Sequence, residues 1–358
     1  MTQSPPPQSP QAQSPPAQGL RAQSPPAQSP PAESPPAENT LEVDGYPTDI
    51  IGFVQEAPPD DNESAYNESI GTASYVSSLS SSIRNYKWAC VLPNDEEEQD
   101  RIDLLHHIYR LLLGGDLFLA PIGKNPQRIL DIGTGTGIWA IQFADEYPSA
   151  QVIGTDLSPI QPPWVPPNCV FEIDDFENDW LYQTPFDFIH GRELEGCVAD
   201  EDRLFTQAFK HLKSGGYFEF DGAYAFWFSD DDTIEKAKNC QLLVKNLHEA
   251  ANKFGKRLDT APTWKEKMEK AGFVDVKQSI YKVPIGPWPK DPKLKEIGRF
   301  QQVQQIMSVE SYTPALFTCV LGWNQMEIEV LLAKVRNELK DHSIHLYALV
   351  YFVYGRKP

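Results

Sequence analysis

From Arg128 onward, short apolar runs alternate with longer stretches whose apolar positions recur every three or four residues: "RILDIG", "IWAIQFADEY", "AQVIGTDL", "CVFEIDD", "FDFIHG", "DRLFTQAFKHLKSGG", "YFEFDG". The short runs predict strands and the longer ones helices. Strict strand–helix alternation predicts an α/β domain built on a doubly wound sheet, with ligands at the carboxyl ends of the strands. Further on, "WKEKMEKAGFVDVKQSIYKV" predicts a helix feeding a strand, and "SIHLYALVYFVYG" a final strand. Two helical additions are expected near 231–256 and 292–325, as a cap over the strand ends.

Ahead of the alternation, "LPNDEEEQDRIDLLHHIYRLLLGG" predicts an amphipathic helix of about five turns, because Ile102, Leu105, Tyr109 and Leu112 recur at helical spacing. Asn94 is the expected cap, with Glu97 reaching back to it and with Asp95 and Glu96 at the positive end of the dipole. Gly114 or Gly115 ends the run. His106 and His107 are adjacent, point in different directions and lack metal-ligand spacing, so they read as helix surface and core, and no metal site is expected.

The first forty residues repeat an "SPPAQ" theme and hold twelve of the 32 prolines, with almost nothing to bury. Such a segment cannot offset its ordering entropy, so residues 1–40 are expected to be a disordered tail with polyproline II stretches. Its Ser-Pro steps suit proline-directed kinases, and its prolines suit SH3 or WW grooves. Residues 41–85 are acidic, then Ser-rich, and are expected to be partly ordered; the folded domain is expected over 86–358. A net charge of −19 argues against direct nucleic-acid binding, which needs clustered Lys and Arg. The five cysteines, at 90, 169, 197, 240 and 319, are scattered and odd in number, as in a reducing, intracellular compartment. No run approaches the ~18 apolar residues of a membrane span, and the N-terminus lacks the apolar core of a signal peptide, so no membrane partner is expected.

Chemistry concentrates at "ILDIGTGTGIWAIQFADEYP". A dinucleotide turn has glycines in the pattern G-x-G-x-x-G, but here Ile138 stands at the third position, which disfavours a nicotinamide-dependent oxidoreductase. The pattern D-x-G-x-G-x-G, from Asp131 through Gly133, Gly135 and Gly137, suits S-adenosylmethionine, which has an amino acid where a dinucleotide has pyrophosphate. The two inner glycines let the backbone approach the cofactor, and Asp131 can engage its amino group. Asp156 ends the next strand nineteen residues after Gly137, where it can accept both ribose hydroxyls. After the third strand Asp175, with Asp174 beside it, can face the adenine amino group.

The fourth strand brings His190 to the sheet edge where a transferred methyl would lie. Methyl transfer from a sulfonium is an in-line displacement, so the protein mainly positions the nucleophile and removes a proton. His190 either does this or is a hydrogen-bonded spacer beside the cofactor. Arg192 and Glu193 can hold a polar substrate or each other. Tyr224, Trp227 and Phe228 either wall a substrate pocket or belong to the core.

On these stretches the chain resembles the LaeA-like fungal methyltransferases, a branch of the class I S-adenosylmethionine-dependent enzymes. The resemblance rests on "LPNDEEEQDRIDLLHHIYRLLLGGDLFLAPI", on the glycine-turn segment continued through "SPIQPPWVPPN" with Trp139 inside it, and on "FDFIHGREL" and "LKSGGYFEF". It covers roughly 85–358. It implies a Rossmann-like sheet of seven strands with a reversed final hairpin and S-adenosylmethionine as the methyl donor. Matched by position, Asp131, Gly133, Gly135 and Gly137 would hold the methionine end, Asp156 the ribose, and Asp175 with Phe176 the adenine. The acceptor would be a small molecule or a protein. Members are associated with fungal secondary metabolism and its control, some of them nuclear and in contact with velvet regulators. The chain lacks a dense basic cluster of the nuclear-import kind, so nucleus and cytoplasm both stay open. A reading from another class is a cofactor-binding regulatory partner that acts by complex assembly, with the tail or the "DEEEQD" face as contacts.

Overall fold

A computed structural model describes residues 93–358. The tail expected over 1–40, the segment expected over 41–85, the start of the domain at 86 and Cys90 lie outside the described residues.

Five parallel strands carry the first half of the domain: β1 (Arg128–Ile132), β2 (Gln151–Asp156), β3 (Cys169–Ile173), β4 (Phe186–Arg192) and β5 (Leu212–Phe228). With β6 (Val274–Pro284) and β7 (Tyr347–Arg356) they form one sheet in the order β3-β2-β1-β4-β5-β7-β6. β7 runs antiparallel to both β5 and β6. The order reverses beside β1, and that switch point leaves a crevice at the strand ends.

Residues of β1 alternate between two covered faces. Ile129 packs with Trp139, Ala140 and Phe143 of α2 (Ile138–Glu146), while Leu130 and Ile132 pack with Leu204, Phe205 and Ala208 of α3 (Glu201–His211). Both faces are buried, which is why the strand reads as an almost unbroken apolar run. Each fully buried large side chain in these layers contributes about 1.5–3 kcal/mol.

The N-terminal helix α1 (Glu96–Leu112) lays Leu105, Ile108, Tyr109 and Leu112 against Val350 and Phe352 of β7 and Ile297. Its cap is Asp95, one residue later than expected: the Asp95 carboxylate accepts from Glu98 N, while Asn94 offers its carbonyl to the Gln99 side chain. Gly114 and Gly115, both at positive φ, end it.

The helical additions are α4 (Lys238–Phe254) and α6 (Pro292–Leu316), the latter followed by a π-turn, with α5 (Trp264–Ala271) between them. A further helix, α7 (Gln325–Leu339), lies beyond the expected range and opens on a capping box between Asn324 and Glu327. Helices α4, α6 and α7 share one apolar cluster that includes Cys240, Val309, Phe317 and Leu332 and reaches Ala348 of β7. Among the described residues no helix is long and apolar enough to cross a membrane, and no group of His, Cys, Asp and Glu could hold a metal.

Candidate active site

The turn after β1 carries three left-handed glycines at alternate positions, Gly133 (φ 63°), Gly135 (φ 57°) and Gly137 (φ 81°). L side chains rarely adopt that region, so glycine is the residue the turn requires. It is also gripped from two directions. A Cβ on Gly133 would lie 2.4 Å from Leu194 Cδ2, in the loop after β4, and one on Gly137 would lie 2.3 Å from Phe171 Cζ of β3.

Carboxylates brace the same turn. Asp156, at the end of β2, accepts from Gly135 N at 2.8 Å and from Ser158 N at 2.9 Å. Burial raises its pKa, and those amide donors work against the rise. Gln161 donates to the carbonyls of Gly135 and Ser158, which ties the loop after β2 to the turn. Asp131 is held twice, by Thr134 Oγ1 at 2.5 Å and by His190 Nδ1 at 2.7 Å. Helix α1 latches on as well, since Thr136 Oγ1 donates to Asp103 at 2.6 Å.

His190 is 1% exposed and stacks on Trp139, ring centroids 3.8 Å apart. Trp139 is itself anchored by its Nε1–H to the Leu117 carbonyl. Burial pushes the imidazole pKa down while Asp131 pulls it up. A neutral ring that donates Nδ1–H to Asp131 satisfies both. Nε2 then faces Asp221 Oδ2 at 3.6 Å, beyond hydrogen-bond distance.

Beyond β3, Asp174 N donates to the Asp156 carbonyl at 3.1 Å, which sets the segment carrying Asp175 beside the end of β2. Asp175 Oδ1 accepts from Glu177 N. Phe176 packs on the α3-side core, and its carbonyl accepts from Trp180 Nε1.

At the end of β4 the Arg192 guanidinium lies 4.8 Å over the Tyr109 ring and donates to His106 Nδ1 at 2.9 Å. Glu193, a non-glycine residue at φ 57°, accepts from Tyr109 Oη. Tyr224 and Trp227 do not join this group. Tyr224 packs on the α3-side core and Trp227 on the α4–α6–α7 cluster, with a register break between them. Phe228 stacks on Tyr347.

Sequence reasoning missed Thr134, Tyr109, His106, Glu195, Glu219 and Asp221. A signal existed for the last two: acids at alternate positions of the otherwise apolar "YFEFDG" put two carboxylates on one buried face. Glu219 accepts from the backbone N–H groups of Leu119 and Ala120, and burial pushes its pKa up to about 7.

His106 gives a pH prediction. Its Nδ1 accepts from Arg192, which requires that nitrogen to be unprotonated, while its Nε2–H donates to the Gln142 side-chain oxygen, a bond that either ring form can make. Burial, then Arg192, lower its pKa to about 3. A depressed folded-state pKa means that the unfolded chain binds the proton first, so this contribution is full above about 6.5 and is lost as pH falls towards 3. The wild type is expected to lose more thermal stability between pH 7.5 and pH 5 than His106→Asn does, and parallel melting curves would contradict this.

A sheet of this order, with a glycine-rich turn after β1 and an acid closing β2, defines a class I methyltransferase. Residues 104–278 match the family described as a methyltransferase domain. The chain is 40% identical over 303 residues to methyltransferase pytC of Aspergillus terreus, covering 81% of this chain and 94% of that protein. It is 34% identical over 261 residues to the probable methyltransferase tdiE of Emericella nidulans, covering 73% and 82%. To the secondary metabolism regulator laeA of Aspergillus fumigatus it is 34% identical over 274 residues, covering 75% and 72%. The chain belongs to the LaeA-like family and is an S-adenosylmethionine-dependent methyltransferase.

Proposed function

We propose that this enzyme methylates a small molecule or a protein side chain in fungal secondary metabolism or its regulation, with the cofactor seated on the turn after β1. The observation that carries the site assignment is the clustering of Asp131, the three left-handed glycines and Asp156 around one turn. That donor set fits S-adenosylmethionine. Asp131 would take the ammonium group, the glycine backbone the methionine end, and Asp156 the ribose hydroxyls, through the lone pairs that its two amide donors leave free. Asp175 and Phe176 would border the adenine. When bound, the cofactor supplies an electrophilic methyl group.

His190 acts in this reading as a positioning residue. Sealed beneath the turn against Trp139, it fixes the carboxylate orientation of Asp131. Arg192 and Glu193 border the acceptor at the strand ends, where ligands of open α/β sheets bind. Tyr224 and Trp227 act as packing residues of two clusters.

The pytC relative is named a methyltransferase, which supports a tailoring role, and the laeA relative a secondary metabolism regulator, which supports a regulatory one, for which velvet-type proteins are the proposed partners. Higher identity and near-complete coverage favour the first. A deletion strain complemented with wild type or with Asp156→Ala separates the two. A tailoring enzyme leaves one metabolite series unmethylated in the variant. A methylating regulator changes many unrelated series at once, and full rescue by the variant would instead mean that assembly, not methyl transfer, is the function.

A further inference from the structure

Buried polar atoms without a partner are few in native proteins, and each calls for an explanation. Among the described residues seven side-chain atoms are of this kind, and five of them belong to one neighbourhood: Arg101 Nη1, His190 Nε2, Glu195 Oε1 and both carboxylate oxygens of Asp221. They gather around the end of β4 and the middle of β5, where Arg192 and Asp221 are in register, and Arg101 interacts electrostatically with Glu193 there. Asp221 is paired with Arg192 across those strands, and Glu193 N donates to the Asp221 carbonyl at 2.9 Å. Glu195 lies against β5 at the next residue: a Cβ on Gly222 would collide with Glu195 Oε1, so the bare backbone of Gly222 is what admits the carboxylate.

The charges here do not balance internally. Arg101, 4% exposed, spends Nε and Nη2 on Glu98 at 2.8 and 2.7 Å. Arg192 spends its hydrogen bond on His106. Glu193 takes the Tyr109 hydroxyl. Glu195 Oε1 and both oxygens of Asp221, the latter 1% exposed, meet no N–H donor, and Asp221 shares a proton with the neighbouring Glu219 carboxyl. Burial pushes both well above the usual carboxylate range, and the neighbouring acids, Glu193 for one and Glu219 for the other, add to it. Leaving acids orphaned in this way costs stability unless something that arrives later brings the missing donors.

We propose that this cluster is the methyl-acceptor site and that it recognises an amine, bound in its protonated form by Glu195 and Asp221, one of which takes an N–H proton so that the nitrogen lone pair is free to accept the methyl group. The assignment rests on the methyltransferase reading and specifies the acceptor class within it. An ammonium group supplies N–H donors and the positive charge that the buried Asp221 and the half-buried Glu195 lack, whereas an alcohol supplies a single donor and a carboxylate adds like charge. Arg101 Nη1, beside Tyr312 and Glu193, remains as a donor for an oxygen on the same ligand.

The test titrates the full-length protein, saturated with S-adenosylhomocysteine, with three probes of one shape: phenethylamine, phenethyl alcohol and phenylacetate. The amine is expected to bind at least about tenfold more tightly than the other two. Glu195→Gln and Asp221→Asn, both close in shape to the protonated acids, are each expected to erase that preference while S-adenosylhomocysteine affinity holds. Equal binding of amine and alcohol, no binding of the amine, or an amine preference untouched in both variants overturns the proposal. Failure of S-adenosylhomocysteine itself to bind would strike the cofactor site instead, so the two failures are distinguishable.

Discussion

Gly137→Ala is expected to lose about 3 kcal/mol of stability, with Tm falling by roughly 8 °C for a domain of this size. Two costs add. The residue sits at φ 81°, where a Cβ crowds its own backbone at about 1–2 kcal/mol. The new methyl would also stand 2.3 Å from Phe171 Cζ, inside a packed cluster, and such overpacking costs about 1–3 kcal/mol. Gly255→Ala is the control, because that glycine caps α4 at φ 88° with nothing within 4 Å of its would-be Cβ. It pays only the backbone cost. Paired melting curves in which both variants fall equally would show that Phe171 moves aside and that the turn is less tightly gripped than its geometry implies.

Asp156→Ala is expected to weaken S-adenosylmethionine on the order of 100-fold. A half-buried carboxylate accepting two ribose hydroxyls makes charge-assisted bonds at the lower end of about 1.5–3 kcal/mol each, so about 3 kcal/mol is lost, and each 1.4 kcal/mol is a factor of ten. Asp156 also accepts from Gly135 N and Ser158 N, so the substitution loosens the turn as well as removing a ligand group. Asp156→Asn separates these effects. Its amide keeps the side-chain shape but one acceptor oxygen only, so it holds Gly135 N or Ser158 N and not both while the charge is gone, and an intermediate loss of affinity is expected. Thermal melts of both variants show whether the fold survives.

Much of this site was written in local pattern. Asp131, the three glycines and Asp156 follow from strand ends and turn chemistry, each a property of a few adjacent residues, and the sheet follows from the alternation of apolar runs. Three things were less legible. The cap of α1 slipped by one because Asn94 and Asp95 are both good caps, and only the geometry chooses Asp95. Helix α7 went unnoticed although Asn324 and Glu327 carry a capping box, since its apolar positions serve a cluster assembled from three separate helices. The acid–arginine cluster was hidden for a deeper reason. Arg101 and Tyr109 come from α1, Glu195 from the loop after β4 and Asp221 from β5, and nothing in the local spacing of any one segment announces the other two. Tyr224 and Trp227 show the converse. They are close in sequence, yet a register break sends them to different clusters.

The central claim, that the glycine turn holds S-adenosylmethionine, is tested most directly by calorimetric titration of the wild type and Asp156→Ala with S-adenosylmethionine, S-adenosylhomocysteine and NAD. The account predicts saturable binding of the first two to the wild type, binding of both weakened on the order of 100-fold in the folded variant, and no binding of NAD. Equal affinity in the two proteins, or binding of NAD in place of the sulfur ligands, would contradict it.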